Sequence, residues 1–253
     1  MNSGSDKIAR FLHTFPKMTK PFLTAEWRKL AMANYEIDPQ LLRKYVPSKT
    51  ELDFYNDTCY VSLVGFLFHN TKLKGIPVPL HRTFEEVNLR FYVRYKDGND
   101  WKRGVVFVKE IVPKPALTMV ANWVYKEKYQ TLPMRRRWHS HSEGLEVEYR
   151  WGWRMNNRFK VSCQPDACEI AEGSEAEFIT EHYWGYTNHK NRNTFEYRVE
   201  HPRWLAYDVH NYEIDVDFKK LYGSEFDFLK PAEPKSVFLA EGSEIKVMNK
   251  RLL

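Results

Sequence analysis

The segment 84–94 reads Phe-Glu-Glu-Val-Asn-Leu-Arg-Phe-Tyr-Val-Arg and alternates in polarity along most of its length. Successive side chains of a β-strand point to opposite faces of the sheet, so one face is mostly apolar while the other carries Glu86, Asn88 and Arg90. An acid, an amide and a guanidinium in that order suit the wall of a concave ligand site. The alternative is a half-buried strand whose polar face is hydrated and paired by salt bridges. Either way, the segment predicts a central strand.

The rest of the sequence favours one β-rich domain. The chain has 253 residues, and its 16 Phe, 15 Tyr and 8 Trp often fall at alternating positions, which is typical of packed strands. Short helices are predicted at several points, including one that begins after Thr24 and buries Trp27 and Leu30. We therefore predict an α+β, mostly β fold, with a loosely ordered N-terminal segment at 1–20 and a single domain at 21–253.

The charge distribution argues against a nucleic-acid-binding protein. Lys and Arg number 39 against 33 Asp and Glu, which gives a formal charge of +6 spread along the chain. The densest cluster, at 135–137, is only three arginines long, whereas nucleic-acid binders concentrate positive charge along one face. A basic turn is the favoured interpretation of this cluster. His139 and His141 could share one face of a strand, but a solvated loop is favoured over a metal site, and no cofactor is predicted.

The cysteines and the hydropathy pattern indicate a cytoplasmic protein. Cys59, Cys163 and Cys168 are odd in number and lack metal-ligand spacing, which is typical of free thiols in a reducing compartment. No apolar run approaches the length of a transmembrane helix, and the N-terminus has no apolar signal region. We therefore expect no association with a membrane.

Lys114 is a candidate nucleophile. It stands between Pro113 and Pro115, where a predicted strand meets the start of a predicted helix. The positive end of the helix dipole disfavours an ammonium group, and a neutral lysine amine can form a Schiff base with a carbonyl compound. The alternative is an ordinary exposed lysine in a loop. Phosphate-binding glycine loops and a serine nucleophile elbow do not occur in the sequence.

The predicted binding residues surround the 84–94 strand. Arg90 is the candidate for holding a carboxylate, because its planar fork can donate two parallel hydrogen bonds. Asn88 would line the same cavity, and Glu86 would orient Arg90 or act as an acid or base. His81 and Arg82 precede the strand and could pair with an anion at the mouth of the cavity.

Four segments of the chain resemble the DUF2071 family, also called the YqjF-like family, and the similarity extends from about residue 27 to 247. The resemblance implies the fold of acetoacetate decarboxylases, a curved, cone-like β-barrel with a cavity and flanking helices. In those enzymes the lysine of a Phe-Pro-Lys-Lys segment forms the Schiff base, and here Pro115 replaces the second lysine. The segments that carry the resemblance are Val-Ser-Leu-Val-Gly-Phe at 61–66, His-Arg-Thr-Phe-Glu-Glu-Val-Asn-Leu-Arg-Phe-Tyr-Val at 81–93, Arg-Gly-Val-Val-Phe-Val-Lys-Glu-Ile-Val-Pro at 103–113 and His-Pro-Arg-Trp at 201–204.

Two functional hypotheses follow. The first is a small-molecule-binding protein whose cavity takes an anionic or carbonyl-containing ligand, and which could act on an organic acid or carbonyl compound with Lys114 and Glu86 as catalytic groups. The second is a non-catalytic interaction or scaffold protein in which the polar strand is purely structural.

Overall fold

The structure is a computed structural model that describes residues 20–120, 128–142, 144–189 and 193–253. The predicted N-terminal segment lies outside these ranges except for its last residue. The described residues are mostly in strands, as the sequence predicts. The strands are β1 (Leu23–Glu36), β2 (Thr50–Leu52), β3 (Tyr60–Leu73), β4 (Ile76–Pro77), β5 (Phe84–Asp97), β6 (Asp100–Val112), β7 (Tyr129–Thr131), β8 (Met134–His141), β9 (Gly144–Trp151), β10 (Asn157–Glu169), β11 (Trp184–His189), β12 (Asn193–Glu200), β13 (Leu205–Asp215), β14 (Ser236–Val247) and β15 (Arg251–Leu252).

The helices are short and lie between the strands. Asp38 accepts a hydrogen bond from the backbone N–H of Gln40 at 2.9 Å and so caps the first helix, and Ser174 caps another in the same way through Glu177. In the described ranges, no helix has the length and apolar character needed to span a bilayer. The helical elements are α1 (Pro39–Leu42), α2 (Pro115–Val120), α3 (Glu175–Thr180), α4 (Phe218–Tyr222) and a 3₁₀ turn (Ser224–Leu229).

The strands form one curved sheet that closes on itself. Strands β6, β5, β3, β1 and β14 pair in that order, all antiparallel. Strand β14 then pairs with β12 through Val199 opposite Val247 and Glu200 opposite Lys246, and β12 pairs with β11. Strand β11 returns to β6 in parallel. Seven strands therefore form a ring with an interior, as the cone-like architecture requires, and the remaining strands extend the sheet beyond it.

Strand β5 is central, as predicted, and both of its faces are buried. Its apolar face carries Leu89 and Phe91, which are fully buried in the larger hydrophobic core outside the ring. On the opposite face Glu86 is 2% exposed, Asn88 1% and Arg90 8%. The polar face is therefore not a hydrated surface, and its charges must be stabilised inside the protein.

The predicted helix after Thr24 is wrong, because this segment is strand β1. The register with β3 shifts between Arg28 and Ala31, and Lys29 has a φ of 53°, so the chain bulges at this point. The inserted residue places Trp27 and Leu30 on the same face at a spacing of three. A strand with a bulge thus reproduces the spacing expected of a helix.

Strand β14 runs through residues 241–243 without interruption, although the Glu-Gly-Ser sequence there is typical of a turn. Gly242 has a φ of +83°, and its Cα is paired with Arg28 at the bulge of β1. A Cβ at this glycine would lie 2.0 Å from the carbonyl oxygen of Trp27. Gly242 therefore lets β14 approach the bulge closely, where any larger residue would clash with backbone.

Strand β8 forms one end of the sheet. It pairs with β9, and in the described ranges it has no second strand partner. The three arginines at 135–137 lie on it rather than in a turn, and all three are at least partly exposed. Arg136 forms an ion pair with Glu85 at 2.6 Å.

We expect Gly242→Ala to destabilise the protein by more than about 2 kcal/mol, since it combines a left-handed backbone conformation with a backbone clash. Gly75→Ala is the matched control, because Gly75 has a similar φ of +85° and nothing within 4 Å of the added Cβ. Urea unfolding of both variants measures the difference. Equal losses of stability would show that the close approach to Trp27 contributes nothing.

Candidate functional site

The ring of strands encloses a cavity of about 170 Å³. Most of its wall is apolar and aromatic. The Trp27 ring packs edge-on against Phe66 and Trp204, with centroid distances of 5.3 and 6.2 Å. The apolar part of the wall would suit the hydrocarbon body of a ligand. Its aromatic members include Trp27, Phe66, Phe68, Phe84, Phe107 and Trp204.

A polar cluster built on β5 forms the rest of the wall. The Asn88 amide donates from Nδ2 to Glu86 Oε1 at 3.0 Å, and the Tyr129 hydroxyl donates to Glu86 Oε2 at 3.3 Å. Glu110 belongs to β6, where it pairs with Asn88 of β5 on one side and with Tyr129 of β7 on the other. It also lines the cavity. Three strands therefore bring two carboxyl groups, an amide and a phenol together in a buried environment.

Arg90 lies in the same wall as this polar cluster, and within the described part of the chain not all of its N–H groups have hydrogen-bond partners. Its Nη2 donates to the carbonyl oxygen of Ile179 at 3.3 Å and lies 3.9 Å from Met32 Sδ. Its Nε is buried and has no partner among the residues that the structure describes. The guanidinium lies 5.7 Å from the centre of the Tyr92 ring. No carboxylate within the described ranges forms an ion pair with it, so its charge remains available to an anion.

Burial controls protonation in this cluster. It raises the pKa of Glu86 to about 7, although hydrogen bonds from Asn88 and Tyr129 and the charge of Arg90 oppose the shift. The pKa of Tyr129 is raised well above its ordinary value, first by burial and then by Glu110 and Glu86. Glu86 can therefore gain or lose a proton near neutral pH, while Tyr129 stays a hydrogen-bond donor.

A bulge in β6 decides which of its residues face the cavity. Leu89 of β5 pairs with Lys109, whereas the next residue, Arg90, pairs with Phe107, so Val108 is the inserted residue. Phe107 and Glu110 consequently both line the cavity. Lys109 instead donates to the carbonyl oxygen of Leu221, and burial lowers its pKa.

His182 belongs to the site through a contact that the sequence does not suggest. It lines the cavity just after α3, and its Nε2 lies 3.2 Å from Asp53 Oδ2. Arg103 Nε donates to the same Asp53 oxygen at 2.6 Å. Glu181, its acidic neighbour in sequence, instead accepts a hydrogen bond from Tyr183. Burial lowers the pKa of His182 to about 4, so the ring is neutral at pH 7.

The structure places the sequence-predicted residues in two groups. Glu86, Asn88 and Arg90 lie in the cavity wall, as predicted, although their roles remain predictions. Lys114 is half-buried at the junction of β6 and α2, and it is not among the described residues of the wall. None of those lining residues is a lysine.

His81 and Arg82 also lie outside the described wall. His81 Nδ1 is 2.8 Å from the carbonyl oxygen of Pro79, and the exposed Arg82 side chain reaches Asn70 Oδ1 at 3.4 Å. Their backbones bond to Val78 and Thr71, which do line the cavity. The pair is therefore adjacent to the cavity without contributing to its surface.

A family model whose members are described as uncharacterized conserved proteins matches residues 24–244, which is most of the chain. The chain belongs to the DUF2071 family. Within curated proteins, the uncharacterized protein YqjF of Bacillus subtilis (strain 168) is 28% identical over 214 residues, covering 82% of this chain and 83% of its own. The resemblance found in the sequence is thus confirmed.

Solved structures share the fold of this DUF2071 chain. The enduracididine biosynthesis enzyme MppR with bound HEPES superposes with a TM-score of 0.65 at 12% identity, covering 92% of this chain and 88% of the other. Acetoacetate decarboxylase from Legionella pneumophila gives a TM-score of 0.63 at 14% identity, covering 98% and 92%. An acetoacetate decarboxylase-like enzyme from Sphingomonas wittichii RW1 gives 0.63 at 11% identity, covering 91% and 92%. At these identities the likeness establishes the acetoacetate-decarboxylase-like fold alone.

The raised pKa of Glu86 predicts a specific pH dependence of stability. Between its ordinary value of 4.5 and about 7, the folded state holds a proton that the unfolded state has released. The free energy of unfolding should therefore fall as pH rises through this window, by up to about 3 kcal/mol from this group, and level off above it. Glu86→Gln should remove this component.

Urea unfolding across pH 4 to about 8 compares wild type with Glu86→Gln. Glu85→Gln is the matched control, since Glu85 lies on the opposite face of the same strand and pairs with Arg136. Parallel pH profiles for wild type and Glu86→Gln would contradict the assigned shift.

Proposed function

We propose that this protein binds a small organic acid in its cavity, with the ligand carboxylate on Arg90 and the hydrocarbon body against the aromatic wall. The observation that carries the proposal is the buried guanidinium of Arg90, which has an unpartnered Nε and no ion-paired carboxylate among the described residues. Burying a charge is costly unless it is paired, and a ligand carboxylate would supply the missing partner. The fork geometry of arginine suits that group.

Glu86 supports a role in chemistry as well as in binding. Because its pKa is raised to about 7, it can be neutral when a carboxylate binds beside it, which avoids repulsion between two anions. The same property would allow it to donate or accept a proton on a bound organic acid or carbonyl compound. Glu86 is therefore the proposed acid or base, and Asn88 orients it.

The ligands bound to a protein of the same fold support the proposed class of ligand. Structures of MppR are described as complexes with pyruvate and with the condensation product of pyruvate and imidazole 4-carboxaldehyde. These ligands are carbonyl acids or derive from one. Free thiols at Cys59, Cys163 and Cys168 further support the proposed cytoplasmic location.

A scaffold or interaction protein remains the second candidate, since Glu86, Asn88 and Tyr129 bond to one another without any ligand. Under that hypothesis the polar strand is purely structural. Glu86→Gln would then alter stability and change no binding, and the cavity would bind no carboxylate.

We expect Arg90→Gln to weaken carboxylate binding by about tenfold to a hundredfold, since it removes a hydrogen bond to a charged group. Calorimetric titration with phenylacetate measures the change. Arg94→Gln is the matched control, because Arg94 lies on the same strand but is exposed and paired with Glu51. Undiminished affinity in Arg90→Gln would refute the assignment, and the absence of phenylacetate binding by wild type would refute the proposed function for this class of acid.

Lys114 should form no Schiff base with a ligand in the cavity. Borohydride treatment in the presence of pyruvate, followed by intact mass and peptide mapping, should therefore give no adduct at this residue, because it lies outside the described wall. Lys114→Ala serves as the control for non-specific reduction on surface lysines. A stable adduct that maps to Lys114 and is lost in the variant would restore it as the catalytic nucleophile.

A further inference from the structure

His182 and Arg90 are held at the same end of the cavity by one segment of the chain. Arg90 Nη2 bonds to the carbonyl oxygen of Ile179 in α3, three residues before His182. Both side chains also lie against the Tyr92 ring, with the imidazole centroid at 4.8 Å and the guanidinium carbon at 5.7 Å. A ligand whose carboxylate rests on Arg90 would therefore present its neighbouring atoms to His182.

The contact with Asp53 fixes where the imidazole carries its hydrogen. Burial acts to raise the pKa of Asp53, but hydrogen bonds from His182 and Arg103 outweigh it and hold the pKa below its ordinary value. An ionised carboxylate can only accept hydrogen bonds, so His182 Nε2 must be the donor. The neutral ring then has its lone pair on Nδ1.

His182 Nδ1 has no hydrogen-bond partner among the described residues, although the side chain is almost fully buried. Asn88 Oδ1, another acceptor in the wall, is likewise buried and unpartnered in this part of the chain. Buried polar atoms without partners are rare and costly in native proteins. Two unsatisfied acceptors beside an unsatisfied guanidinium indicate a ligand that brings both a carboxylate and a hydrogen-bond donor.

We propose that His182, oriented by Asp53, accepts a hydrogen bond from a hydroxyl group on the carbon next to the ligand carboxylate, so that the cavity selects hydroxy acids over the matching oxo acids. This inference rests on the proposed binding of a carboxylate at Arg90. An oxo group offers only lone pairs, which would face the lone pair of Nδ1. His182 is thus a specificity-determining residue, and Asp53 is a positioning residue that acts through it.

Mandelate, phenylglyoxylate and phenylacetate test this directly, because they share one carbon skeleton and differ only at the carbon beside the carboxylate. In calorimetric titrations of the wild-type protein, mandelate should bind about tenfold more tightly than phenylacetate, and phenylglyoxylate should bind no better than phenylacetate. His182→Phe keeps a ring among Tyr92 and Phe178 and should bring mandelate down to the affinity of phenylacetate. Phenylacetate has no hydroxyl for Nδ1 to accept from, so it should lose less affinity in this variant than mandelate does.

Asp53→Asn is a second variant. If Asp53 had only a structural role, the variant would change stability but not the preference between the acids. Arg103 Nε donates to the same Asp53 oxygen as His182 Nε2, so the amide oxygen would keep that position but without the charge that holds the hydrogen on Nε2. The preference for mandelate over phenylacetate should then shrink. Asp97→Asn, which alters an exposed carboxylate paired with Lys102, should leave the order of affinities unchanged.

The outcomes separate this inference from the proposed function. Failure of the wild type to bind any of the three acids would overturn both. Two outcomes would overturn only the role of His182, provided that phenylacetate binding depends on Arg90. One is equal affinity for mandelate and phenylacetate. The other is a mandelate preference that survives in His182→Phe. Heteronuclear NMR of the histidine ring nitrogens in the wild type gives a reading independent of the variants. A hydrogen on Nδ1 of His182 would also overturn the proposal.

Discussion

The pairing of β14 with β12 determines the character of the whole molecule. Among the described residues, two pairs join these strands, at Val199 and Glu200, and they turn an open curved sheet into a closed ring. In an open sheet of this curvature, the polar face of β5 would meet water, and Glu86 would titrate as a surface group. Inside the ring this carboxyl group is cut off from solvent. The unusual protonation of the site is thus a consequence of topology as much as of residue type.

Among the described residues, some polar groups inside the ring are fully hydrogen-bonded, whereas others are left free to bind a ligand. Glu86 is satisfied by Asn88 and Tyr129, and Asp53 is satisfied by Arg103 and His182. Complete satisfaction would give a rigid polar core with no need of a ligand. Instead, Arg90 Nε and His182 Nδ1 are left without partners in the described structure. These two atoms are a donor and an acceptor, which is a more specific requirement than a charge alone.

The sequence revealed the parts of the site that depend on local pattern and missed those that depend on long-range pairing. Alternation alone identified Glu86, Asn88 and Arg90, because β5 is regular across them. Glu110 was hidden by the bulge at Val108, which reverses the alternation of β6 just before it. Tyr129 and His182 come from segments with no distinctive pattern of their own, and only the closed sheet brings them to the cavity.

The misassigned helix at the start of β1 has the same physical origin. A bulge changes the spacing of inward-facing residues from two to three, which matches the spacing along one face of a helix. The partner that reveals the bulge, Gly242, lies more than two hundred residues away in sequence, as the pairing of Arg28 with Gly242 shows. Neither half of this contact can be interpreted without the other.

The arginines of β8 disfavour edge-to-edge association between copies of the protein. A terminal strand of a sheet offers unpaired backbone groups to any other extended chain, and intermolecular sheets grow from such edges. Arg135 and Arg137 are exposed on this strand. Two copies approaching edge to edge would bring like charges together, and the charged side chains would have to be desolvated. The terminal strand thus carries its own protection against aggregation at high protein concentration, and this protection should weaken as salt screens the charges.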